Sequence, residues 1–171
     1  MKNPNIATGA LTRRQALAAS ALGIAGLGSI SQVHAQSDTI PDKLLTALHQ
    51  ETEIHAGAEQ IYTALLSSKQ FAQFSGMAAE ISPRAGGAFK MFGGLIMGRN
   101  IELVPVKRIV QAWRPGSWPA GVYSVVKFEL KPTGSSTTII LDHTGFPEGD
   151  FASLSEGWHM HYWEPLKKLF A

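Results

Sequence analysis

The stretch "SLSEGWHMHYWEPLKKLF", residues 153–170, closes the chain and decides how the rest of it is interpreted. Ser153 and Glu156 have the spacing of a capping box, which predicts that a helix begins there. Pro165 has no amide hydrogen for the carbonyl of His161, so we expect a kink at that turn. The large apolar residues recur close to every fourth position, the period of one helix face; they are Leu154, Trp158, Tyr162, Leu166 and Phe170. The stretch therefore predicts a long final helix with one apolar side.

Two histidines between the tryptophans of this stretch, His159 and His161, raise the question of a metal site. On a strand both side chains would point the same way. On a helix they lie about 200° apart, since each residue turns the chain by about 100°. Helical metal pairs are spaced three or four residues apart. We therefore predict no metal here, with His159 in solvent and His161 at the margin of the apolar stripe.

The chain before this helix reads as strands with one helical stretch. Residues 45–56 alternate, with Leu48, Thr52 and Ile54 on one side, which is typical of a half-buried strand. Residues 58–74 show a helical stripe, either continuous or broken at Ser67-Ser68. From residue 79 to 146, turns such as the hairpin signal Gly93-Gly94 separate five or six antiparallel strands. One antiparallel sheet must bury its inner face, and the final helix alone is long enough to cover it, so the order predicts an α+β fold.

Residues 1–35 have the three-part layout of a secretory signal: Lys2, Arg13 and Arg14 without an acid, an apolar run of 15 residues, and a small-residue cleavage site. The apolar run is shorter than the roughly 20 residues that a membrane span needs. Arg13-Arg14 resembles the twin-arginine signal, although the general secretory route stays open. We expect cleavage between Ala35 and Gln36, a linker at residues 36–45, one domain at residues 46–171, no membrane span after cleavage, and a location in the periplasm or outside the cell.

Composition excludes several classes of function. Removing Lys2, Arg13 and Arg14 from the 15 basic residues leaves 12 against 13 acidic ones, so the mature chain is near neutral. It has no basic stripe of the kind that binds nucleic acid. The chain contains no cysteine, which excludes disulfides, thiolate nucleophiles and Cys-ligated metals. No nucleotide-binding loop, zinc motif or serine elbow appears, and we predict no cofactor.

Four features resemble the C-terminal domain of the activators of Hsp90 ATPase, and more widely the helix-grip superfamily of START domains, Bet v 1 allergens and polyketide cyclases. They are Leu103-Val104-Pro105 before Ile109-Val110, Trp113-Arg114 with Trp118-Pro119, Gly145-Phe146-Pro147, and Gly157-Trp158 followed by Tyr162-Trp163. The resemblance covers residues 46–171. It implies a curved antiparallel sheet gripping a long C-terminal helix, often with an apolar cavity between them. The export signal, and the absence from the sequence of a recognisable N-terminal Hsp90-binding domain, are expected departures from the co-chaperone.

Trp158 and Tyr162 are the first candidates for such a cavity, because they lie four apart on the face predicted to meet the sheet. One interpretation is core packing. The other is that they line a cavity and present an indole N–H and a phenol O–H to a ligand. The further cavity candidates are Phe89, Trp113, Phe128 and His143.

His143 is the residue to weigh as a general base, since an unperturbed histidine titrates near pH 6.5. No partner acid or nucleophile is assured by spacing, and Asp142 points the other way on a strand. We therefore name no catalytic residue.

Three functions follow from this interpretation. The first is an exported domain that binds a small hydrophobic molecule between the sheet and the final helix. The alternative, which the resemblance implies, is a protein-interaction or chaperone-accessory module with a protein partner. The second alternative is a cyclase- or hydrolase-like enzyme that works in the cavity. A cavity too small for a ligand, together with an apolar surface patch, favours the interaction module; a roomy cavity with converging polar groups favours the other two.

Overall fold

A seven-stranded antiparallel sheet carries the domain, in a computed structural model that describes residues 41–171. The predicted leader at residues 1–35, the cleavage position at Ala35 and Gln36, and most of the linker lie outside the described residues. The strand order is β1-β7-β6-β5-β4-β3-β2, a meander with the first strand added beside the last. The strands are β1 Ala47–Ile54, β2 Glu80–Ile81, β3 Ala88–Met91, β4 Ile96–Val104, β5 Arg108–Pro115, β6 Ser124–Thr133 and β7 Ser136–Thr144.

Two short helices follow β1, α1 at Ala58–Leu66 and α2 at Ser68–Ser75. The break between them is the one predicted at Ser67-Ser68. The Ser67 side chain accepts a hydrogen bond from the Gln70 amide, so the second helix has a cap of its own. Gly76 ends it with φ of 72°, a left-handed conformation that suits glycine.

The inner face of the sheet is apolar, as the alternation in the sequence predicts. Leu48 and Ile54 on β1 are buried and the residues between them on the same face are half-buried, whereas their neighbours on the other face are exposed. Strands β6 and β7 continue this face with the buried residues Val126, Phe128, Leu130, Ile139, Leu141 and His143. The curved sheet with a C-terminal helix against it confirms the predicted α+β helix-grip fold.

The final helix begins earlier than predicted. It comprises α3 at Phe151–Trp158, a π-helical turn at His159–Trp163 and α4 at Glu164–Leu169. The predicted capping box is wrong: Ser153 lies inside the helix, and its hydroxyl donates to the carbonyl of Asp150. The carboxylate of Asp150 instead accepts from the indole N–H of Trp118, which ties the β5–β6 loop to the start of the helix.

A π-helical turn precedes Pro165, where the sequence predicted a kink. The Glu164 amide donates to the carbonyl of His159, five residues back, while the backbone at Trp163 and Glu164 keeps helical dihedral angles. The wide turn aligns residues five apart, so Trp163 stacks on Trp158 with ring centroids 5.8 Å apart. Trp163 is consequently buried beside the predicted stripe, of which Trp158, Tyr162 and Leu166 are fully buried.

The connection between β3 and β4 is the hairpin predicted at Gly93-Gly94, but its loop is longer than two residues. It holds three successive positive φ angles, 53° at Phe92, 66° at Gly93 and 96° at Gly94. A positive φ is unusual for a bulky side chain and is strained. This conformation buries the Phe92 ring against Phe71 and Tyr162 of the core.

Candidate apolar binding cleft

An apolar cleft of about 290 Å³ opens along one side of the final helix. The β3–β4 turn forms one wall, the end of β5 forms another, and the helix forms the floor. The residues that line it are Met77, Phe92, Leu95, Ile96, Trp113, Pro115, Ser153, Leu154, Gly157, Trp158, His161 and Tyr162.

Backbone pairing brings two of these walls together. Ile96 at the start of β4 is paired with Pro115 at the end of β5. The Gly116 amide donates to the carbonyl of Leu95 at 2.8 Å, and the Gly93 amide donates to the carbonyl of Ala78 at the same distance. These bonds hold the β3–β4 turn at the rim, where Leu95 is 62% exposed.

The orientation of Trp158 is determined by a buried hydrogen-bond chain. Its indole N–H donates to Nδ1 of His143 at 3.2 Å, so Nδ1 carries no hydrogen and Nε2 does. Nε2 then donates to the hydroxyl of Ser124 at 2.7 Å, and that hydroxyl donates to the carbonyl of Trp113 at 3.1 Å. Every donor in this series of hydrogen bonds has an acceptor, which fixes both the tautomer of the imidazole and the plane of the indole.

His143 is therefore a neutral structural residue and not an exposed base. It is fully buried, and burial lowers its pKa from 6.5 to about 3. It does not line the cleft, and its two ring nitrogens are both occupied. The geometry offers no proton acceptor to a substrate at this position.

Tyr162 also turns its polar atom away from the cleft. Its hydroxyl donates weakly to the sulfur of Met91 at 3.9 Å, and burial raises the pKa of Tyr162 above its ordinary value. Trp113 Nε1 is a buried donor for which the described residues provide no hydrogen-bond partner of good geometry. Of the two interpretations of Trp158 and Tyr162, these contacts favour core packing for their polar atoms, because the indole N–H and the phenol O–H both have partners inside the protein.

Three of the six predicted cavity residues line the cleft: Trp113, Trp158 and Tyr162. The other three lie elsewhere. Phe128 packs edge to face on Trp158, with centroids 5.6 Å apart, so it belongs to the core. Phe89 lies against Gly98 on the neighbouring strand, and His143 belongs to the buried hydrogen-bond chain that holds Trp158.

The remaining lining residues were not named as cavity candidates from the sequence. Four lie in the β3–β4 turn and at the adjoining ends of β4 and β5, which only the register of the sheet brings beside the helix: Phe92, Leu95, Ile96 and Pro115. Four more lie on the helix itself: Ser153, Leu154, Gly157 and His161. Among these Gly157 carries a signal of its own, because a glycine inside an apolar helical stripe is unusual. His161 lies at the margin of the stripe as predicted, with its ring edge on Phe92 at a centroid distance of 6.0 Å.

The lining contains no Asp, Glu, Lys or Arg. Charged groups cluster instead on the outer face of the sheet, where Lys127 and His49 both contact the Asp142 carboxylate. These partners lower the pKa of Asp142, and Asp142 raises the pKa of His49. Within residues 41–171 no group of three or more His, Asp or Glu side chains is placed to hold a metal ion, and no helix there is long and apolar enough to cross a membrane.

Solved structures with the same fold include an HSP90 activator from Plasmodium falciparum, with a TM-score of 0.70 and 22% identity over 73% of this chain and 96% of that one. A second is the Aha1 dimer from Colwellia psychrerythraea, with a TM-score of 0.63 and 18% identity over 74% and 97% of the two chains. At these identities the likeness establishes the fold alone.

Relatives at higher identity are longer proteins. The chain is 30% identical over 123 residues to mouse activator of 90 kDa heat shock protein ATPase homolog 2, covering 72% of this chain and 37% of the relative. It is 31% identical over 115 residues to an uncharacterized protein of Schizosaccharomyces pombe, covering 67% and 34%. The chain thus spans about a third of the length of the curated relatives it matches. The family model "Activator of Hsp90 ATPase homolog 1-like protein" matches residues 55–171, and the chain belongs to that family.

Proposed function

We propose that this chain is a protein-interaction domain of the chaperone-accessory kind, and that the cleft receives an apolar group of its partner. The observation that carries the proposal is the cleft itself: it is open to the surface, it is mostly apolar, and its buried Trp158 and Tyr162 turn their polar atoms into the protein. Membership of the family, and the names of relatives that activate a 90 kDa heat shock protein, support a protein partner.

The alternative of a buried ligand cavity receives less support. Sites for small molecules are mostly apolar but hold a few placed polar groups that orient the ligand. Here Trp158 and Tyr162 donate inward, and the space beneath them is filled by Phe128, Phe71 and their neighbours. What stays accessible is a rim with exposed side chains, including Met77 and Leu95. A flexible methionine at such a rim suits a surface that adapts to a partner.

Site-specific photocrosslinking in the native host tests the interaction. A photoreactive residue replaces Ser153, which is exposed and lines the cleft, and in a control it replaces Lys131, which is exposed on β6. We expect a discrete protein adduct from position 153 and none from position 131. Mass spectrometry of the adduct identifies the partner. The absence of a protein adduct at position 153, or an equal yield at both positions, contradicts the proposal.

A small hydrophobic molecule is the second candidate for the cleft. Its volume of about 290 Å³ is close to the lower end of ligand pockets, roughly 300 Å³. The indole rings of Trp113 and Trp158 stack at 5.5 Å and offer a flat aromatic wall. Native mass spectrometry of protein purified from its host, without detergent, tests this candidate. A bound species of one composition, in stoichiometric amount, would support it, and only unliganded chain would count against it.

We also propose that the chain is exported before it acts, on the strength of its first 35 residues. Export determines which partners are within reach: an exported chain meets a protein outside the cytosol, whereas a retained one meets a cytosolic chaperone. The cyclase- or hydrolase-like alternative is not proposed, because His143, the buried histidine of residues 41–171, is neutral and fully hydrogen-bonded.

A further inference from the structure

Gly157 is placed where a helix gains nothing from glycine. It lies inside the continuous helical segment formed by α3, the π-helical turn and α4. Glycine is the poorest helix former apart from proline, because it loses the most backbone freedom on folding. A better helix former at position 157 would therefore stabilise the helix, and the glycine needs another explanation.

Packing inside the protein does not require a residue without a side chain at position 157. Apart from its two chain neighbours and the backbone of its own helix, a Cβ atom added at Gly157 would meet no heavy atom within 4 Å, and its φ is outside the left-handed region. Gly98 is the contrasting case, because a Cβ there would lie 1.9 Å from the carbonyl oxygen of Ala112 and 2.5 Å from Cζ of Phe89. Packing within the protein thus requires glycine at position 98 and does not require it at position 157.

The space above Gly157 is part of the cleft. The residue is one of those that line it, next to Trp158 and one helical turn from Leu154 and His161. Adding a side chain at this position would fill the cleft from its floor. Packing within the fold thus gives no reason for a glycine here, whereas the space of the cleft above it does.

The walls around this space indicate the chemistry of the occupant. No carboxylate, ammonium or guanidinium group lines the cleft, so a charged group would lose its hydration without gaining a partner. The planes of Trp113 and Trp158 are within 28° of each other, and the Tyr162 ring lies 4.4 Å from that of Trp158. Such rings favour an uncharged, flat partner that stacks or packs edge to face.

We propose that Gly157 is the specificity-determining residue of the cleft, and that its missing side chain makes room for an uncharged aromatic side chain of the protein partner. The inference rests on the proposed function, and it names the group that the interaction domain recognises.

Binding of the uncharged fluorescent probe N-phenyl-1-naphthylamine to the full chain tests the inference. The variants are Gly157→Ala and Gly157→Leu, with Ala152→Leu as the control, because Ala152 is exposed on the same helix and does not line the cleft. We expect the wild type and the control to bind equally, and Gly157→Leu to bind at least roughly tenfold more weakly. The melting temperature of Gly157→Ala should rise, since alanine is the better helix former. The crosslinking yield from position 153 should fall with Gly157→Leu and stay unchanged with Ala152→Leu.

Each contrary result has a definite meaning. If the wild type does not bind the probe, or Gly157→Leu binds it as well as the wild type does, Gly157 does not set what the cleft accepts and the inference is overturned. If probe binding is lost but the protein adduct persists, the occupant is not the partner's side chain, and the inference fails while the proposed interaction stands. If no adduct forms in the wild type, the proposed function fails. The inference then fails as well, because the occupant that it names is a side chain of the protein partner, whatever the probe shows.

Discussion

At the residue scale, two aromatic side chains of the cleft, Trp158 and Tyr162, have their polar atoms directed into the protein. Trp158 is held by Nδ1 of His143, and the hydroxyl of Tyr162 points to the sulfur of Met91. Only the carbon atoms of these two rings therefore face the cleft. A hydrophobicity pattern cannot reveal this, because it shows which side of a helix a tryptophan is on and not where its N–H points.

Replacing Tyr162 by Phe tests this arrangement. The hydroxyl makes only a weak bond to a thioether, so we expect the free energy of unfolding to change by less than about 1 kcal/mol. Affinity for N-phenyl-1-naphthylamine should stay within about twofold of the wild type, because the hydroxyl does not reach the cleft. Urea titration and fluorescence titration measure the two quantities. A large loss of affinity with unchanged stability would show that the hydroxyl contacts the occupant.

His143 should make the fold sensitive to mild acid. Its folded pKa of about 3 is below the unfolded value of 6.5, so its contribution to stability is complete above pH 6.5 and is lost as the pH falls towards 3. We expect a loss of about 1.4 kcal/mol for each pH unit below 6.5. Urea unfolding between pH 6.5 and about 4.5 measures this slope, before the carboxylates, whose pKa values lie lower, take over.

Two variants serve as controls for this slope of stability against pH, His49→Asn and His143→Gln. Asp142 raises the pKa of exposed His49, whose contribution therefore grows as the pH falls, opposite in sign to that of His143. The titration is best done in a His49→Asn background. Adding His143→Gln should lower stability at pH 6.5 and flatten the slope. A slope that persists without His143 would place the acid sensitivity elsewhere.

At the element scale, the π-helical turn decides what the final helix buries. An ideal α-helix would turn Trp163 about 140° away from Trp158, off the face that packs on the sheet. The wide turn at His159–Trp163 brings Trp163 into the core, where its N–H donates to Oε1 of Gln50 on β1 at 2.7 Å. The amide of Gln50 in turn donates to the backbone carbonyl and the hydroxyl of Ser155. One glutamine therefore clamps the edge strand to the helix on both sides of the turn.

Changing Gln50 to Ala should destabilise the protein by about 1–3 kcal/mol, because it leaves the indole N–H of buried Trp163 without a partner. Glu53→Ala on the same strand is the control, since Glu53 is exposed and its removal should change stability by no more than about 0.5 kcal/mol. Chemical denaturation of both variants gives the comparison. Equal stability of the two would mean that the clamp contributes nothing beyond strand propensity.

At the scale of the whole molecule, the sequence predicts the fold better than the cleft. The alternation in β1, the break at Ser67 and the stripe of the final helix are local patterns, and the structure contains all three. The cleft depends on the β3–β4 turn meeting the helix, far apart along the chain. No local pattern reports that distance, and none predicts the tie between Trp118 and Asp150 that replaces a capping box. Within the final segment, the stripe residues Trp158 and Tyr162 and the glycine at position 157 are the only local signs of the cleft.

The export proposal belongs to the whole molecule as well, because it determines where the cleft is presented. We expect the Arg13→Lys, Arg14→Lys double variant to remain in the cytosol, since the twin-arginine route depends on the guanidinium pair, and the wild type to be recovered outside it. Cell fractionation, with N-terminal sequencing of the exported chain, measures both. The mature chain should begin at or near Gln36. Unchanged export of the double variant would assign the leader to the general secretory route. A wild-type chain found in the cytosol with its first 35 residues still attached would contradict export. The partner should then be sought among the cytosolic chaperones.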